Sequence, residues 1–260
     1  MFLIKVMRIV VTFAVEAEFA PWRKRHSFRR NGSGKASWYS CEADGLRVDV
    51  YLTGIGWKGS RVTLASLLRE KPDLCISSGL AGGVKPELLH GCIVVAKEVL
   101  LVNGGGRLAG SSLLCEIAAE NGAVPVRTFL TNSCVVLDAE SKRSMAEFGD
   151  VVEMESFHVL KSAIDVHVPA LAIRAISDVA DEDLPLDFGQ AIGADGQIKY
   201  RRLLRQVGTR LHRVPAMIAF GKRSEKAARN LAGFLDQYID SVRRRFPLWG
   251  AGKEAEVTVR

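Results

Sequence analysis

The stretch Ala170-Leu171-Ala172-Ile173-Arg174-Ala175-Ile176-Ser177-Asp178-Val179-Ala180-Asp181 carries the architecture of this chain. Ala170 to Ile176 is apolar but for one arginine and reads as a strand buried on both faces, the kind found inside a parallel sheet. A carboxylate follows it directly. On either side of it in sequence, Arg8 to Val15, Arg47 to Thr53, Asp73 to Ser78, Cys92 to Leu101 and Val126 to Leu130 read as further strands. Trp57 to Glu70, Ser112 to Glu120, Asp138 to Phe148 and Met154 to Ile164 carry helical spacing, the second with Ser111 or Ser112 as cap and a stop near Gly122. This alternation predicts an α/β protein: a mixed, largely parallel central sheet covered by helices, three layers in all. Ligands in such sheets bind beyond the carboxyl ends of the strands.

Composition narrows the class. With 260 residues, 48% hydrophobic and 25% charged, the chain is long enough for one domain with a substantial core, and 1–260 is read as such. The five cysteines, Cys41, Cys75, Cys92, Cys115 and Cys134, lack metal-ligand spacing or a disulfide pattern, which predicts no metal site and fits a reducing cytoplasm. The apolar opening is broken by Lys5 and Arg8 and runs into Glu16 and Glu18, so it reads as a strand rather than a signal peptide. No run reaches the roughly 20 apolar residues of a membrane span.

Polar and glycine-rich segments gather at the predicted strand exits. Glu16 and Glu18 follow the first strand, Gly54-Ile55-Gly56 the second, Ser77-Ser78-Gly79-Leu80-Ala81-Gly82-Gly83 the third, and Ser177-Asp178 the last. The glycine run alone is neither a P-loop nor a dinucleotide fingerprint, and such glycines commonly serve tight turns. Upstream of the last strand, Val152-Glu153-Met154-Glu155-Ser156 contributes a second pair of carboxylates. An acid at a buried strand end, facing carboxylates from another element, suits cleavage of a purine nucleoside: one group protonates the base while another holds the sugar.

Glu16-Ala17-Glu18, Thr53-Gly54-Ile55-Gly56, Ser78 to Gly83, Val152 to Glu155 and Arg174 to Asp181 together resemble, in order and spacing, the nucleoside phosphorylase/hydrolase family. The likeness spans roughly Arg8 to Asp187 and is greatest to the methylthioadenosine/S-adenosylhomocysteine nucleosidase branch. Ala194-Asp195-Gly196-Gln197 and Arg213-Val214-Pro215-Ala216-Met217 resemble the hopanoid-associated nucleosidases of the same family. The resemblance implies a phosphorylase/hydrolase-like fold, no cofactor, a nucleoside substrate and a homo-oligomer, a dimer. It implies that Asp178, kept partly protonated by burial, is the acid to the base, that Glu18 activates water, and that Arg174 is its polar partner. It further implies that Glu155, with Glu153, holds the ribose, that Met154 lies against the sugar, and that Ser177, Val135, Val136, Ser78, Gly79 and Leu80 contact substrate.

Departures from the pattern shape the substrate expectation. The residues where family phosphorylases carry phosphate-binding arginines are here Ser77 and the Glu16–Glu18 segment, which favours water over phosphate as nucleophile. Leu80 stands where the nucleosidase branch has a water-holding serine, leaving Glu18 and Arg174, or Ser77 and Ser78, for that task. Ser133-Cys134-Val135-Val136 offers an aliphatic clamp in place of a stacking aromatic, and Asn103-Gly104-Gly105-Gly106 is a short turn where the family has a longer cover. The chain is thus expected to hydrolyse a 5′-substituted adenosine, an adenosylhopane-type lipid nucleoside among the options. The alternatives are a phosphate-using purine nucleoside phosphorylase and a non-catalytic nucleoside-binding protein.

The net charge of +7 is concentrated in a basic helical C-terminal extension over 197–246, rich in arginine from Arg201 to Arg245. Leu231, Phe234, Leu235, Ile239 and Val242 form an apolar stripe there, read first as packed on its own domain and second as a weak peripheral membrane contact. No nucleic-acid-binding motif accompanies the charge.

Overall fold

The computed structural model describes residues 6–59, 61–193, 195–197, 199 and 214–249. In chain order the elements are β1 (Met7–Phe13), α1 (Glu16–Arg23), β2 (Arg29–Asn31), β3 (Trp38–Ala43), β4 (Leu46–Leu52), α2 (Arg61–Arg69), β5 (Leu74–Gly83), β6 (Ile93–Leu101) and β7 (Arg107–Ala109). There follow α3 (Ser112–Glu120), β8 (Val124–Thr131), α4 (Ala139–Met145), β9 (Val151–Glu153), α5 (Ser156–Ile164), β10 (Ala170–Asp178), α6 (Phe188–Ala191) and α7 (Val214–Trp249).

The ten described strands form one mixed sheet with β5 as its hub. The pairs β1–β4, β1–β5, β5–β10, β6–β8 and β8–β9 are parallel. From β5 the sheet runs through β10, β6, β8 and β9 and returns to β5, so part of it closes on itself while β1, β4, β3 and β2 extend it outward. β5 changes partner along its length: Leu74 to Ser77 lie beside β1, whereas Gly82 and Gly83 lie beside β9. Between those contacts, at Ser78 to Ala81, the two neighbouring strands part, and that opening positions the site.

Side-chain alternation separates two cores. Ile9, Val11, Phe13, Leu74, Ile76, Leu171, Ile173 and Ala175 face one side, where Phe19 and Trp22 of α1, Leu114 and Ile117 of α3 and the apolar stripe of α7 cover them. Val10, Cys75, Ala170, Ala172 and Ile176 face the other, under Leu64, Leu67 and Leu68 of α2 and Val159, Leu160 and Ala163 of α5. Each such large aliphatic side chain contributes about 1.5–3 kcal/mol on burial, and the outcome is the helix–sheet–helix layering the alternation predicts.

Several boundaries differ from the sequence reading. The glycine run expected as a loop is strand: β5 continues through Gly83, and β10 likewise continues through Ser177 to Asp178. Met154 and Glu155 precede α5, which begins at Ser156, and α2 begins at Arg61 because Gly54, Gly56 and Trp57, all at positive φ, shape the turn before it. The short strands β2, β3, β7 and β9 are additions to the elements that the sequence pattern predicts. The Asn103–Gly106 turn joins β6 to β7 in a hairpin. The basic C-terminal segment is not an appendage where it is described: Ala227, Leu231, Leu235, Tyr238 and Val242 of α7 are buried in the first core. Its stripe therefore faces the sheet and is unavailable to lipid. The arginines from Arg201 to Arg213, and Ala194 of the C-terminal motif, lie outside the described residues. All five cysteines are free, and no described helix is long and apolar enough to cross a membrane.

Candidate active site

Two carboxylates sit where β5 has no side chains. A Cβ at Gly79, whose φ is +145°, would lie 3.1 Å from both carboxylate oxygens of Glu18, and a Cβ at Gly82 would lie 2.8 Å from Asp178 Oδ2. Glu18 reaches the opening from α1: its Oε1 accepts from Leu80 N at 3.0 Å and its Oε2 from Ala14 N at 2.8 Å and Val15 N at 3.3 Å. Burial pushes the Glu18 carboxyl up, against the pull of these amides and of the Arg174 charge. Asp178 arrives from β10, where the register with β5 shifts between Ile176 and Asp178. Such an irregularity re-aims a side chain, and here it faces Asp178 toward Gly82.

Arg174 organises a second carboxylate pair. It is fully buried, and its Nη2 donates to Glu153 Oε2 at 2.6 Å, Ser156 Oγ at 2.9 Å and Ser77 Oγ at 3.3 Å, with Glu155 Oε2 at 3.7 Å. Glu153 also accepts from the Thr131 hydroxyl and from the amides of Glu155 and Ser156. Burial alone would push Glu153 up, but Arg174 and these donors outweigh it and hold the carboxyl below its ordinary value. Glu155 has the opposite balance. Burial first, and then the neighbouring Glu153 charge, push it up to about 8, although Gly56 N donates to its Oε1 at 2.8 Å. A carboxyl so shifted carries a proton at neutral pH and can both donate to and accept from a hydroxyl group.

Asp178 is more than a buried acid. Ser177 Oγ donates to its Oδ1 at 2.7 Å, and the ammonium of Lys142, from α4, stands 2.6 Å from its Oδ2. The sequence reading missed Lys142. It lies in the polar run Asp138-Ala139-Glu140-Ser141-Lys142-Arg143, which reads as an exposed helix face, yet Lys142 is fully buried.

These groups border a cavity of about 440 Å³, within the range of small-molecule sites. Of the residues singled out from sequence, Glu18, Leu80, Val135, Val136, Glu153, Met154, Glu155, Ser177 and Asp178 line it. Arg174 stands behind the carboxylates. Ser78 and Gly79 do not line the cavity: the Ser78 hydroxyl is buried without a partner, Gly79 seats Glu18, and Ser77 is engaged with Arg174 and Ser156. Nor does any residue of the Asn103–Gly106 turn line it. Ile55, from the Gly54-Ile55-Gly56 strand exit, also lines it, whereas sequence reasoning missed Leu184, Ile192 and Phe220, the last from α7; isolated apolar residues carry no local signal of a pocket. Among the described residues, the lining includes neither lysine nor arginine.

Comparison with known proteins agrees with this architecture. The sequence is 28% identical over 211 residues to a 5′-methylthioadenosine/S-adenosylhomocysteine nucleosidase of Anoxybacillus flavithermus, covering 71% of this chain and 90% of that protein. Among solved structures, a Helicobacter pylori 5′-methylthioadenosine/S-adenosyl homocysteine nucleosidase superposes with a TM-score of 0.69 at 19% identity, over 90% of this chain and 98% of its own. A futalosine hydrolase mutant of the same organism superposes at 0.65 with 17% identity, over 90% and 99%. At such identities the superpositions speak for the fold, and they agree with the mixed sheet and its helical layers. The phosphorylase superfamily model matches residues 111–240, half of the sequence and the half that holds Glu153, Glu155, Arg174 and Asp178, and so the chain belongs to the phosphorylase superfamily.

Proposed function

We propose that this protein is a purine nucleosidase that hydrolyses the N-glycosidic bond of a 5′-substituted adenosine to adenine and a substituted ribose. One observation carries the reading: a cavity bordered by Glu18, Glu155 and Asp178 with no cation among the described residues of its lining. Glu18, its proton affinity raised by burial, takes a proton from water, which attacks the anomeric carbon. Arg174 stands beside the carboxylates and orders Glu153 and Glu155. Glu155 engages the ribose hydroxyls, Met154 packs on the sugar, and Val135 and Val136 hold the base. Asp178 gives its proton to the departing purine, so that adenine leaves neutral. The curated relative, a methylthioadenosine/S-adenosylhomocysteine nucleosidase, supports hydrolysis of this substrate class.

A phosphorylase must hold a multiply charged oxyanion, for which arginine forks are suited. Here phosphate would meet carboxylates, and the buried Arg174 is already paired with Glu153. The apolar lining from Ile55, Leu184, Ile192 and Phe220 favours an apolar 5′ substituent, with a lipid-linked adenosine, methylthioadenosine and adenosylhomocysteine as candidates. Purified protein incubated with these nucleosides in phosphate-free buffer is expected to release adenine and free sugar. Strict dependence on phosphate with a ribose 1-phosphate product would overturn the reading.

A further inference from the structure

Asp178 has a charged companion in Lys142, whose role in the reaction rests on the nucleosidase reading. Lys142 is fully buried, and its Nζ is 2.8 Å from Val179 O, 2.9 Å from Glu182 O and 2.6 Å from Asp178 Oδ2. An ammonium has three donors, and three acceptors meet them. The segment it holds is fixed from outside as well: the Glu182 carboxylate pairs with Arg223 of α7 and lies 3.3 Å from His90 Nε2, while His90 Nδ1 is 3.1 Å from Ser177 O. Two carbonyls do not require a full charge, and a buried ammonium is costly unless paired. Among the described residues, its one salt bridge is to the group that moves a proton.

We propose that Lys142 is a positioning residue of the reaction, fixing the Asp178 carboxyl and stabilising the negative charge that grows on it as the purine takes its proton. The C1′–N9 electron pair passes to the ring, and the proton leaves Asp178 for a ring nitrogen. The resulting carboxylate lies between Lys142 Nζ and Ser177 Oγ. Asp178 regains a proton from solvent after adenine departs. A fixed cation where charge develops needs no reorganisation during the step, which is why such groups weigh heavily in rate.

The test is a double-mutant cycle on an adenine nucleoside that the wild-type protein cleaves, with thermal unfolding of every variant. Lys142→Met is expected to lower kcat by about 10²-fold while KM stays within about threefold, a loss confined to the chemical step. In an Asp178→Asn background the same substitution should change kcat by no more than about twofold, because the group through which Lys142 acts is gone. Lys142→Arg, which retains the charge with different reach, should keep most of the activity. If Lys142→Met does not fold, the cycle is run with Lys142→Gln, whose uncharged amide can still donate to the Val179 and Glu182 carbonyls, and the same non-additivity with Asp178→Asn is expected. Full losses that multiply in the Asp178→Asn background, or a rise in KM as large as the fall in kcat, would make Lys142 a structural prop and overturn the proposal. A wild-type protein inert toward every purine nucleoside would instead overturn the nucleosidase reading, and the role of Lys142 with it.

Discussion

Glu155 is a carboxyl that the fold prefers neutral, and this has a consequence for stability. Its value of about 8 in the folded chain exceeds the ordinary 4.5, so the preference for the neutral form is fully present below the lower value and is lost as pH rises through the upper one. Glu153, held below its ordinary value, acts in the opposite sense and in a different window, losing its contribution only as pH falls below the ordinary range. Wild-type Tm should therefore decline between about pH 5 and pH 8, and Glu155→Gln should flatten that decline by removing the titration. Thermal unfolding of both proteins across that range checks it; parallel curves would show that Glu155 does not titrate there. For Asp178 the expectation is kinetic. Asp178→Asn should lower turnover of an adenine nucleoside by about 10²-fold or more, since general acids contribute that much, and near-native turnover would remove Asp178 from the mechanism.

Among the secondary-structure elements, β5 shows both what the sequence reveals and what it hides. The buried runs of β1, β5 and β10 are legible because apolar residues persist through them, and α3 has the bounds its spacing predicts. The end of β5 is not legible, because glycine ordinarily breaks strands. Here β10 on one side and β9 on the other carry the strand onward to Gly83. Glycine is present because the missing side chains leave room for Glu18 and Asp178. That reason is tertiary and invisible locally, as is the burial of Lys142. Glu18, Glu155 and Asp178 themselves are legible only through several motifs in one order. Gly82→Ala, whose methyl would fall 2.8 Å from Asp178 Oδ2, should lower kcat by about 10-fold or more, because misplacing a reacting group by an ångström is that costly. Gly79→Ala adds backbone strain at φ +145° and should also lower Tm. Full activity in Gly82→Ala would show that Asp178 does not need its present seat.

Across the whole molecule, α7 joins the charge pattern to the core and the cavity. Its apolar stripe covers β5, β6 and β10 through the first core, and Phe220 and Ser224 reach the cavity wall. Part of its charge is neutralised locally, since Arg223 pairs with Glu182, Arg229 with Glu225, Arg244 with Asp240 and Arg245 with Glu120. The helix is thus expected to be integral to stability: Leu235→Ala, at a fully buried position, should cost about 2–5 kcal/mol in denaturant unfolding. With the stripe occupied, any attraction to anionic lipid rests on charge alone, at about 1 kcal/mol per basic residue near the surface. Such attraction fades once salt shortens the screening length toward about 3 Å near 1 M. Vesicle binding measured by sedimentation at low salt should therefore be abolished at high salt. Binding that survives high salt would mean that α7 leaves the sheet to insert its apolar face, and Leu235→Ala would then strengthen release from the core rather than simply destabilise the fold.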